Sequence, residues 1–200
     1  MIQKEYTFDA SYQPQVRTKT DTSRVMLDVI IGLAPAMIFA VWQFGFKALA
    51  LIAVSVVASV FFEWGYRKLM KKHNSIGDLS ACVTGILLVL CMPVDAPLWM
   101  PVVGAFFAIV VVKQLYGGLG KNFLNPALAG RAFLFFSWTS TMTKWTIDGV
   151  TTATPLSILK EGGDVAASGF DFMQMFTGVG LPGSLGEVSA AALLIGGIWL

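Results

Sequence analysis

Three threonines fall within four residues in the sequence IDGVTTATPL, which covers Ile147–Leu156. Pro155 disfavours a helical conformation for the residue before it, so Thr154 is expected to be extended with an accessible hydroxyl. Two interpretations fit these residues. Thr154 can be the N-cap of a helix that begins at Pro155, which is the simpler interpretation from the residues alone. Alternatively, its hydroxyl is the acceptor in an enzymatic modification.

A second candidate is the glycine-rich sequence GGLGKN, Gly117–Asn122, which leads into Asn125 and Pro126. A phosphate-binding P-loop requires Ser or Thr after the lysine and a strand before the glycines, and both are missing. Asn125 is a plausible N-cap, with Pro126 at the first helical position. The backbone N–H groups of such a connection can face a polar ligand. A tight turn and a cofactor or ion-pathway role both remain open.

Four ionisable residues lie within or beside apolar segments, where a charge is costly: Asp28, Glu63, Asp78 and Arg131. Glu63 and Asp78 lie at predicted helix ends, where an interfacial charge is ordinary. Arg131 lies about one and a half turns inside a short predicted helix. It is therefore the residue of this group for which a charge partner or a ligand is most expected.

Secondary-structure elements must position these residues. The composition indicates that the chain is a membrane protein. The chain is 56% hydrophobic and 13% charged, as in polytopic membrane proteins. Its net charge of +2 is too small and too scattered for a nucleic-acid surface. We predict an all-α polytopic membrane protein with five transmembrane helices and the start of a sixth. The predicted spans are residues 25–44, 46–64, 79–92, 98–116 and 126–138.

The positions of Lys and Arg predict the orientation, because cytoplasmic connections are enriched in them. Residues 1–24 are predicted to be a cytoplasmic N-terminal segment and residues 25–138 a five-helix transmembrane repeat. The polar segment 139–187, which contains the threonines, is then extracytoplasmic. Residues 188–200 are predicted to begin a second transmembrane half. The sequence is thus expected to be a fragment that holds the first half of a five-plus-five inverted repeat.

The sequence DGVTTATPL resembles the flavinylation motif of the D subunit of the Rnf complex and the homologous B subunit of the sodium-translocating NADH:quinone oxidoreductase. Three further segments resemble signatures of this family in the same order, so the resemblance covers most of the chain. They are TSRVMLDVIIGLAPA (Thr22–Ala36), GDLSACVTGILLVLCMP (Gly77–Pro93) and GGLGKNFLNPALAGRAFL (Gly117–Leu134). The short N-terminal segment is more similar to the D subunit of the Rnf complex.

The resemblance implies that FMN is joined covalently to Thr154 through a phosphoester by an FMN transferase that acts outside the cytoplasmic membrane. It implies that Asp148, Thr152 and Ala153 are recognition elements. A second flavin, non-covalent riboflavin, is implied in the membrane part, with Asn122 and Asn125 as candidate contacts.

As a member of this family, the chain would relay electrons between ferredoxin and NAD, coupled to sodium or proton translocation. Its implied partners are the A, B, C, E and G subunits of the Rnf complex and membrane lipid, in the bacterial cytoplasmic (inner) membrane. We add the hypothesis that Arg131 pairs with another charge or contacts a flavin.

A different class of function stays open, a channel or transporter for a small solute or ion. The sequence Asn125-Pro126-Ala127 matches the Asn-Pro-Ala motif of aquaporins. An inverted repeat is an architecture common among transporters. An aquaporin uses two such motifs, and this sequence has one. A flavin motif in the outer loop has no role in a plain channel, so the redox interpretation is preferred.

Overall fold

The computed structural model describes residues 21–72, 76–147, 150–151, 154–162 and 171–200. The described chain is mostly helical. Two long helices come first, α1 (Thr22–Phe44) and α2 (Phe46–Leu69). They are joined at Gly45, whose φ of +70° is a conformation that favours glycine. The tight turn predicted at this position is confirmed.

Shorter helices follow in the order that the apolar segments predict. A single 3₁₀ turn (Ile76–Asp78) precedes α3 (Ser80–Leu90). Helix α4 (Trp99–Phe106) continues as a π-helical segment (Phe107–Gln114), and α5 covers Pro126–Ser137. The short α3 agrees with the short third segment of the sequence.

The polar segment that was predicted as a loop contains short elements of its own. They are α6 (Thr139–Met142), the antiparallel pair β1 (Thr146–Ile147) and β2 (Val150–Thr151), α7 (Pro155–Lys160) and α8 (Phe172–Thr177). Helix α9 (Ala190–Trp199) ends the described chain. The two-residue strands are the exception to the all-α prediction.

Among the described residues, α1 and α2 are the two helices long and apolar enough to cross a membrane. Their outer faces expose large apolar side chains, for example Ile38 and Val57, which are 69% and 68% exposed. Such faces are typical of contact with lipid or with other membrane subunits. The structure therefore supports a membrane protein, and the count of five crossings stays a prediction.

Small residues allow the helices to approach closely, as is common in membrane bundles. On α2, the Ser55 hydroxyl donates a 2.7 Å hydrogen bond to the carbonyl of Gly85 on α3. A β-carbon added at Gly85 would lie 2.8 Å from Ser59 Oγ. Helices α1 and α9 meet at Gly32 and Gly196 in the same way. These contacts hold α3 and α9 against the two long helices.

The helices place two groups of connections at opposite ends of the bundle. The basic end contains the start of α1, the end of α2 and the glycine-rich connection. There the Ser23 hydroxyl donates a 2.7 Å hydrogen bond to the carbonyl of Gly77. The loop end contains Gly45, the connection between α3 and α4, and the segment around Thr154. The threonine segment thus lies at the end opposite the basic connections.

Candidate functional site

Thr154 is the N-cap of α7, with Pro155 at the first helical position, as the sequence predicts. Its Oγ1 accepts a 3.2 Å hydrogen bond from the backbone N–H of Ser157. Thr154 is extended (φ −72°, ψ 152°) and only partly buried. The capping interaction uses the oxygen as an acceptor and does not require the hydroxyl proton. Thr154 can therefore act as a cap and still carry a group on its oxygen.

Thr154 lines a cavity of ≈430 Å³ at the loop end, which we call the Thr154 cavity. This volume lies within the ~300–1,000 Å³ typical of small-molecule and cofactor sites. Most of the wall is apolar, and Thr154, Ser184 and Glu187 are its polar side chains. The remaining described residues of the wall are Trp145, Pro155, Leu156, Met175, Leu181, Pro182, Gly183 and Val188. This combination suits a ligand with a planar apolar part and a polar group near Thr154.

One wall of the cavity is the segment 178–189, which packs against the end of the helix bundle. The backbone N–H groups of Leu185 and Gly186 donate to the carbonyls of Met92 and Leu90, at 3.0 and 2.8 Å. The Gln43 side chain donates a 3.1 Å hydrogen bond to the carbonyl of Leu181. These contacts satisfy backbone groups of a non-helical segment, which is required close to a membrane. The wall is thus fixed to the bundle.

The Asp95 carboxylate holds the antiparallel pair β1–β2, the hairpin that precedes Thr154. It forms a 2.9 Å ion pair with Lys47 at the start of α2 and accepts a hydrogen bond from the Thr146 hydroxyl on β1. The hydrogen bond from Lys47, together with that from Thr146, lowers the pKa of Asp95. This contact ties the hairpin to the connection between α3 and α4.

Arg131 on α5 lies beside the Thr154 cavity. Its Nη1 is 3.7 Å from Oε1 of Glu187, and the two side chains are 37% and 58% exposed. The distance exceeds that of a hydrogen bond, so the attraction is mainly coulombic and partly screened by water. Arg131 thus has the charge partner that we hypothesised, and this partner is on the cavity wall. Contact between Arg131 and a flavin stays a prediction.

Asn122 and Asn125 lie at the basic end, in a separate cavity of ≈200 Å³ that Ser80, Thr84 and Lys113 also line. The Asn122 amide donates a 2.9 Å hydrogen bond to the carbonyl of Leu124. Asn125 caps α5 by accepting from the N–H of Ala127 at 3.0 Å. Both asparagines thus have local structural roles. The cavity is smaller than the ~300 Å³ lower limit for sites of drug-sized ligands.

A buried polar network borders this smaller cavity. The Lys113 ammonium donates to Glu63 Oε2 at 2.9 Å and to Ser80 Oγ at 2.6 Å. Gln114 Nε2 donates to the other carboxylate oxygen, Oε1, at 2.9 Å. Glu63 is 0% exposed, and Lys113 and Gln114 are each 1% exposed. The carboxylate is thus surrounded by donors, as a charge buried among helices requires.

The backbone around this network has two unusual features. Lys113 and Gln114 are in the π-helical segment, a conformation often found at functional sites. Leu79 has a φ of +59°, which is rare for a branched apolar residue. This conformation lets the Asp78 carboxylate accept a 2.9 Å hydrogen bond from the N–H of Ser80. Both features position side chains of the network.

The prediction of an ordinary interfacial charge at Glu63 is wrong, because the side chain is fully buried. The burial of Lys113 was not anticipated from the sequence. Helix α2 continues to Leu69, which places Glu63 more than one turn inside the helix. The sequence signal for a buried polar group here was the pair Lys113-Gln114 directly after an apolar run. Regular α-helical periodicity does not show that a π-helical segment changes the direction in which these side chains point.

Asp148, Thr152 and Ala153, the predicted recognition elements, lie outside the described residues. Their roles therefore stay predictions. The described strands β1 and β2 flank Asp148, and Thr152 follows β2. Of the predicted site residues, Thr154 and Arg131 both lie near one cavity, whereas Asn122 and Asn125 lie at the other end of the bundle.

Comparison with known proteins identifies the family. The model of the NQR2, RnfD, RnfE family matches residues 9–200. The chain belongs to this family. The family assignment made from the resemblance is thus confirmed.

Three relatives illustrate the range of the family. The D subunit of the Na(+)-translocating ferredoxin:NAD(+) oxidoreductase complex of Acetobacterium woodii is 48% identical, over 98% of this chain and 63% of the relative. The D subunit of the proton-translocating complex of Clostridium ljungdahlii is 40% identical, with the same coverage. The B subunit of the Na(+)-translocating NADH-quinone reductase of Ectopseudomonas mendocina is 33% identical, over 92% of this chain and 57% of the relative.

Identity is higher to these two D subunits than to the B subunit. The chain spans less than two thirds of the length of these relatives. The names of the two D subunits specify different ions, sodium in one and protons in the other. Membership of the family therefore does not decide the coupling ion.

Proposed function

We propose that the chain is a membrane subunit of an ion-translocating ferredoxin:NAD oxidoreductase and carries FMN as a phosphoester on Thr154. The observation that supports this proposal is the combination at Thr154: an extended, partly buried threonine that lines a ≈430 Å³ cavity. The 48% and 40% identity to two D subunits, against 33% to the B subunit, supports the Rnf complex over the quinone reductase. We expect no catalysis by this subunit alone.

The attachment requires one bond to form and one to break. Thr154 Oγ1 would attack the flavin-side phosphorus of a phosphoanhydride form of the flavin, held by the FMN transferase. The new O–P bond would form, the hydroxyl proton would be released, and the other half of the anhydride would leave with the electron pair of the broken P–O bond. Thr154 Oγ1 can continue to accept from Ser157 N–H as an ester oxygen. Its extended conformation leaves the attacking oxygen outside the helix.

The apolar wall of the Thr154 cavity suits the ring system of a flavin. Trp145, Met175 and Leu181 would pack against the ring and reduce its contact with water. The bound flavin supplies one- and two-electron redox chemistry, and the chain supplies its position and surroundings. Glu187 also lines the cavity, and its carboxylate would repel a phosphate. Arg131 lies beside Glu187 and is placed to offset this repulsion.

The proposal includes a location and partners. The basic end would face the cytoplasm and the loop end would face outside, where the FMN transferase would act. The A, B, C, E and G subunits of the complex would cover part of the exposed apolar faces, and lipid would cover the rest. Residues 1–24 would be cytoplasmic, 25–138 the transmembrane repeat, 139–187 the flavin segment and 188–200 the start of the second half.

A non-covalent riboflavin near Asn122 and Asn125 is a weaker proposal. The cavity there has only ≈200 Å³, so these residues alone do not fit an isoalloxazine ring. A neighbouring subunit or the rest of the chain would have to complete such a site.

The alternative function, ion transport through this chain, is favoured by one observation, the buried Glu63–Lys113 pair. It is compatible with a redox subunit that also contributes to ion translocation.

The test of the proposal is covalent flavin on Thr154. The full-length protein is expressed with its FMN transferase, denatured, separated on a gel and examined for flavin fluorescence. We expect fluorescence on the wild-type band and none on Thr154→Asn, since asparagine keeps an N-cap but has no hydroxyl to esterify. Thr154→Ser keeps both functions and is the matched control, expected to retain fluorescence.

The outcomes separate the two roles of Thr154. Loss of fluorescence in Thr154→Asn without loss of folded protein supports the ester. A wild-type band without fluorescence, when the same transferase labels another substrate, contradicts the proposal. Thr154 would then be only a helix cap, and the transport function would become the leading one.

A further inference from the structure

Ser184, which lines the Thr154 cavity, carries a buried hydroxyl that has no hydrogen-bond partner within the described part of the chain. It is 1% exposed, and its Oγ has no partner among the residues that the structure describes. Buried polar atoms are nearly always hydrogen-bonded, so an exception requires an explanation. Ser184 lines the cavity, but its Oγ is covered by the surrounding atoms, so the hydroxyl must turn about χ1 to meet a ligand group there. A missing ligand group is then one explanation for the unpartnered atom.

The surroundings fix Ser184 in this position. Its neighbour Leu185 is bonded through its backbone to Met92, and Gly186 to Leu90. Gly186 contacts Leu90 so closely that an added β-carbon would lie 2.6 Å from the Leu90 β-carbon. The backbone of this segment therefore cannot readily move to find another partner for the hydroxyl. The side chain itself can rotate among its three staggered positions.

The chemistry of the cavity specifies what the hydroxyl can bind. A phosphodiester has two non-ester oxygens that share one negative charge and accept hydrogen bonds strongly. Glu187 is negative and accepts only, so it cannot fill this role. Ser184 is a neutral donor that lines the same cavity as Thr154. The unpartnered hydroxyl therefore matches the acceptor that an ester on Thr154 would bring.

We propose that the Ser184 hydroxyl donates a hydrogen bond to a non-ester phosphate oxygen of the flavin phosphoester on Thr154. This inference rests on the proposed function. It makes Ser184 a positioning residue that orients the phosphate, and thereby the flavin, within the cavity. In the flavin-free protein the hydroxyl is unsatisfied, and attachment of the flavin supplies its partner.

The experiment compares flavin-free and flavinylated full-length protein, made by expression without and with the FMN transferase. Melting temperature is measured in both forms, and the ³¹P NMR shift of the ester is measured in the second. Gel fluorescence establishes equal labelling before any comparison. The variant is Ser184→Ala. The matched control is Ser189→Ala, because Ser189 is similarly buried, at 4%, but its hydroxyl accepts a 3.2 Å hydrogen bond from Ala192 N–H.

We expect Ser184→Ala to leave the melting temperature of the flavin-free protein unchanged or higher, because it removes an unsatisfied buried group. In the flavinylated protein it should lower the melting temperature by roughly 2–4 °C and move the ³¹P shift. Ser189→Ala should lower the melting temperature equally in both forms and leave the ³¹P shift unchanged.

Other results would overturn the inference. Equal effects of Ser184→Ala in the two forms, or an unchanged ³¹P shift, would show that Ser184 does not bind the phosphate, while the ester itself would stand. Failure of Ser184→Ala to fold without flavin would show that the hydroxyl has a structural partner. An unlabelled wild type would overturn both the proposed function and this inference.

Discussion

The Lys113 ammonium lies 2.9 Å from the Glu63 carboxylate in the interior of the helix bundle, with both side chains 1% exposed or less. Removing one member of a buried pair costs about 3–5 kcal/mol when the other charge is left without a counterpart. Glu63 keeps a second cation, because Arg67 Nε lies 3.7 Å from its Oε1. Lys113→Met should therefore lower the free energy of unfolding by less than this, about 1–3 kcal/mol. The double variant with Glu63→Gln should lose less than the sum of the two single losses.

Denaturant unfolding in detergent would measure this prediction. Lys160→Met is the control, because Lys160 is exposed at the end of α7 and should change stability by less than ~0.5 kcal/mol. Additive losses in the double variant would show that Glu63 and Lys113 do not stabilise each other.

Gly196 on α9 faces Gly32 on α1. A β-carbon at Gly196 would overlap the Gly32 carbonyl oxygen, whereas one at Gly197 would have no neighbour within 4 Å. Gly196→Ala should separate the two helices and cost at least ~1–3 kcal/mol. Gly197→Ala should be neutral or stabilising, because alanine favours the helix. Melting temperatures that fall equally in both variants would contradict this close contact.

The lowered pKa of Asp95 predicts a loss of stability in acid. Its hydrogen bonds from Lys47 and Thr146 favour the ionised form, so the folded pKa is below the unfolded value of about 3.9. The stabilisation is fully present above the unfolded pKa and is lost as the pH falls through the folded pKa. Both ion-pair partners are partly exposed, so we expect ~0.2–1 kcal/mol.

The pH test compares wild type with Asp95→Asn from neutral pH down to a pH below the folded pKa of Asp95, which itself lies under the unfolded value of about 3.9. The difference in melting temperature between them should shrink as Asp95 is protonated. Glu161→Gln, an exposed carboxylate near the end of α7, should show a pH dependence that parallels the wild type. A wild-type advantage that persists at the lowest pH would mean that ionisation of Asp95 does not hold the hairpin.

Arg131 and Glu187 provide a test of charge balance beside Thr154. Arg131→Gln should change stability by less than ~1 kcal/mol, because the pair is partly exposed. It should reduce covalent flavin, since an unbalanced Glu187 carboxylate would repel the phosphate. Glu187→Gln in the same chain should restore labelling. Gel fluorescence equal to wild type in Arg131→Gln would exclude this role.

Much of the architecture could be predicted from local sequence. The caps at Asn125 and Thr154, each followed by proline, depend on a few adjacent residues and were confirmed. The turn at Gly45 and the two long apolar helices on either side of it were predictable for the same reason, although α2 continues to Leu69, beyond the predicted residue 64. The hairpin before Thr154 was missed, because two-residue strands produce no alternating pattern and depend on a tie to Asp95, which is distant in sequence.

The sequence by itself determined the membrane class, the helix starts and the threonine motif, because apolar length, capping and short motifs are properties of adjacent residues. Only the tertiary structure decided the partners of the charges. Glu63 and Lys113 are 50 residues apart in the chain, and helix packing brings them together. The same packing brings Arg131 beside Glu187 and places Ser184 in the lining of the cavity that Thr154 also lines. These proximities have no local signature, because they depend on how separate helices and loops pack.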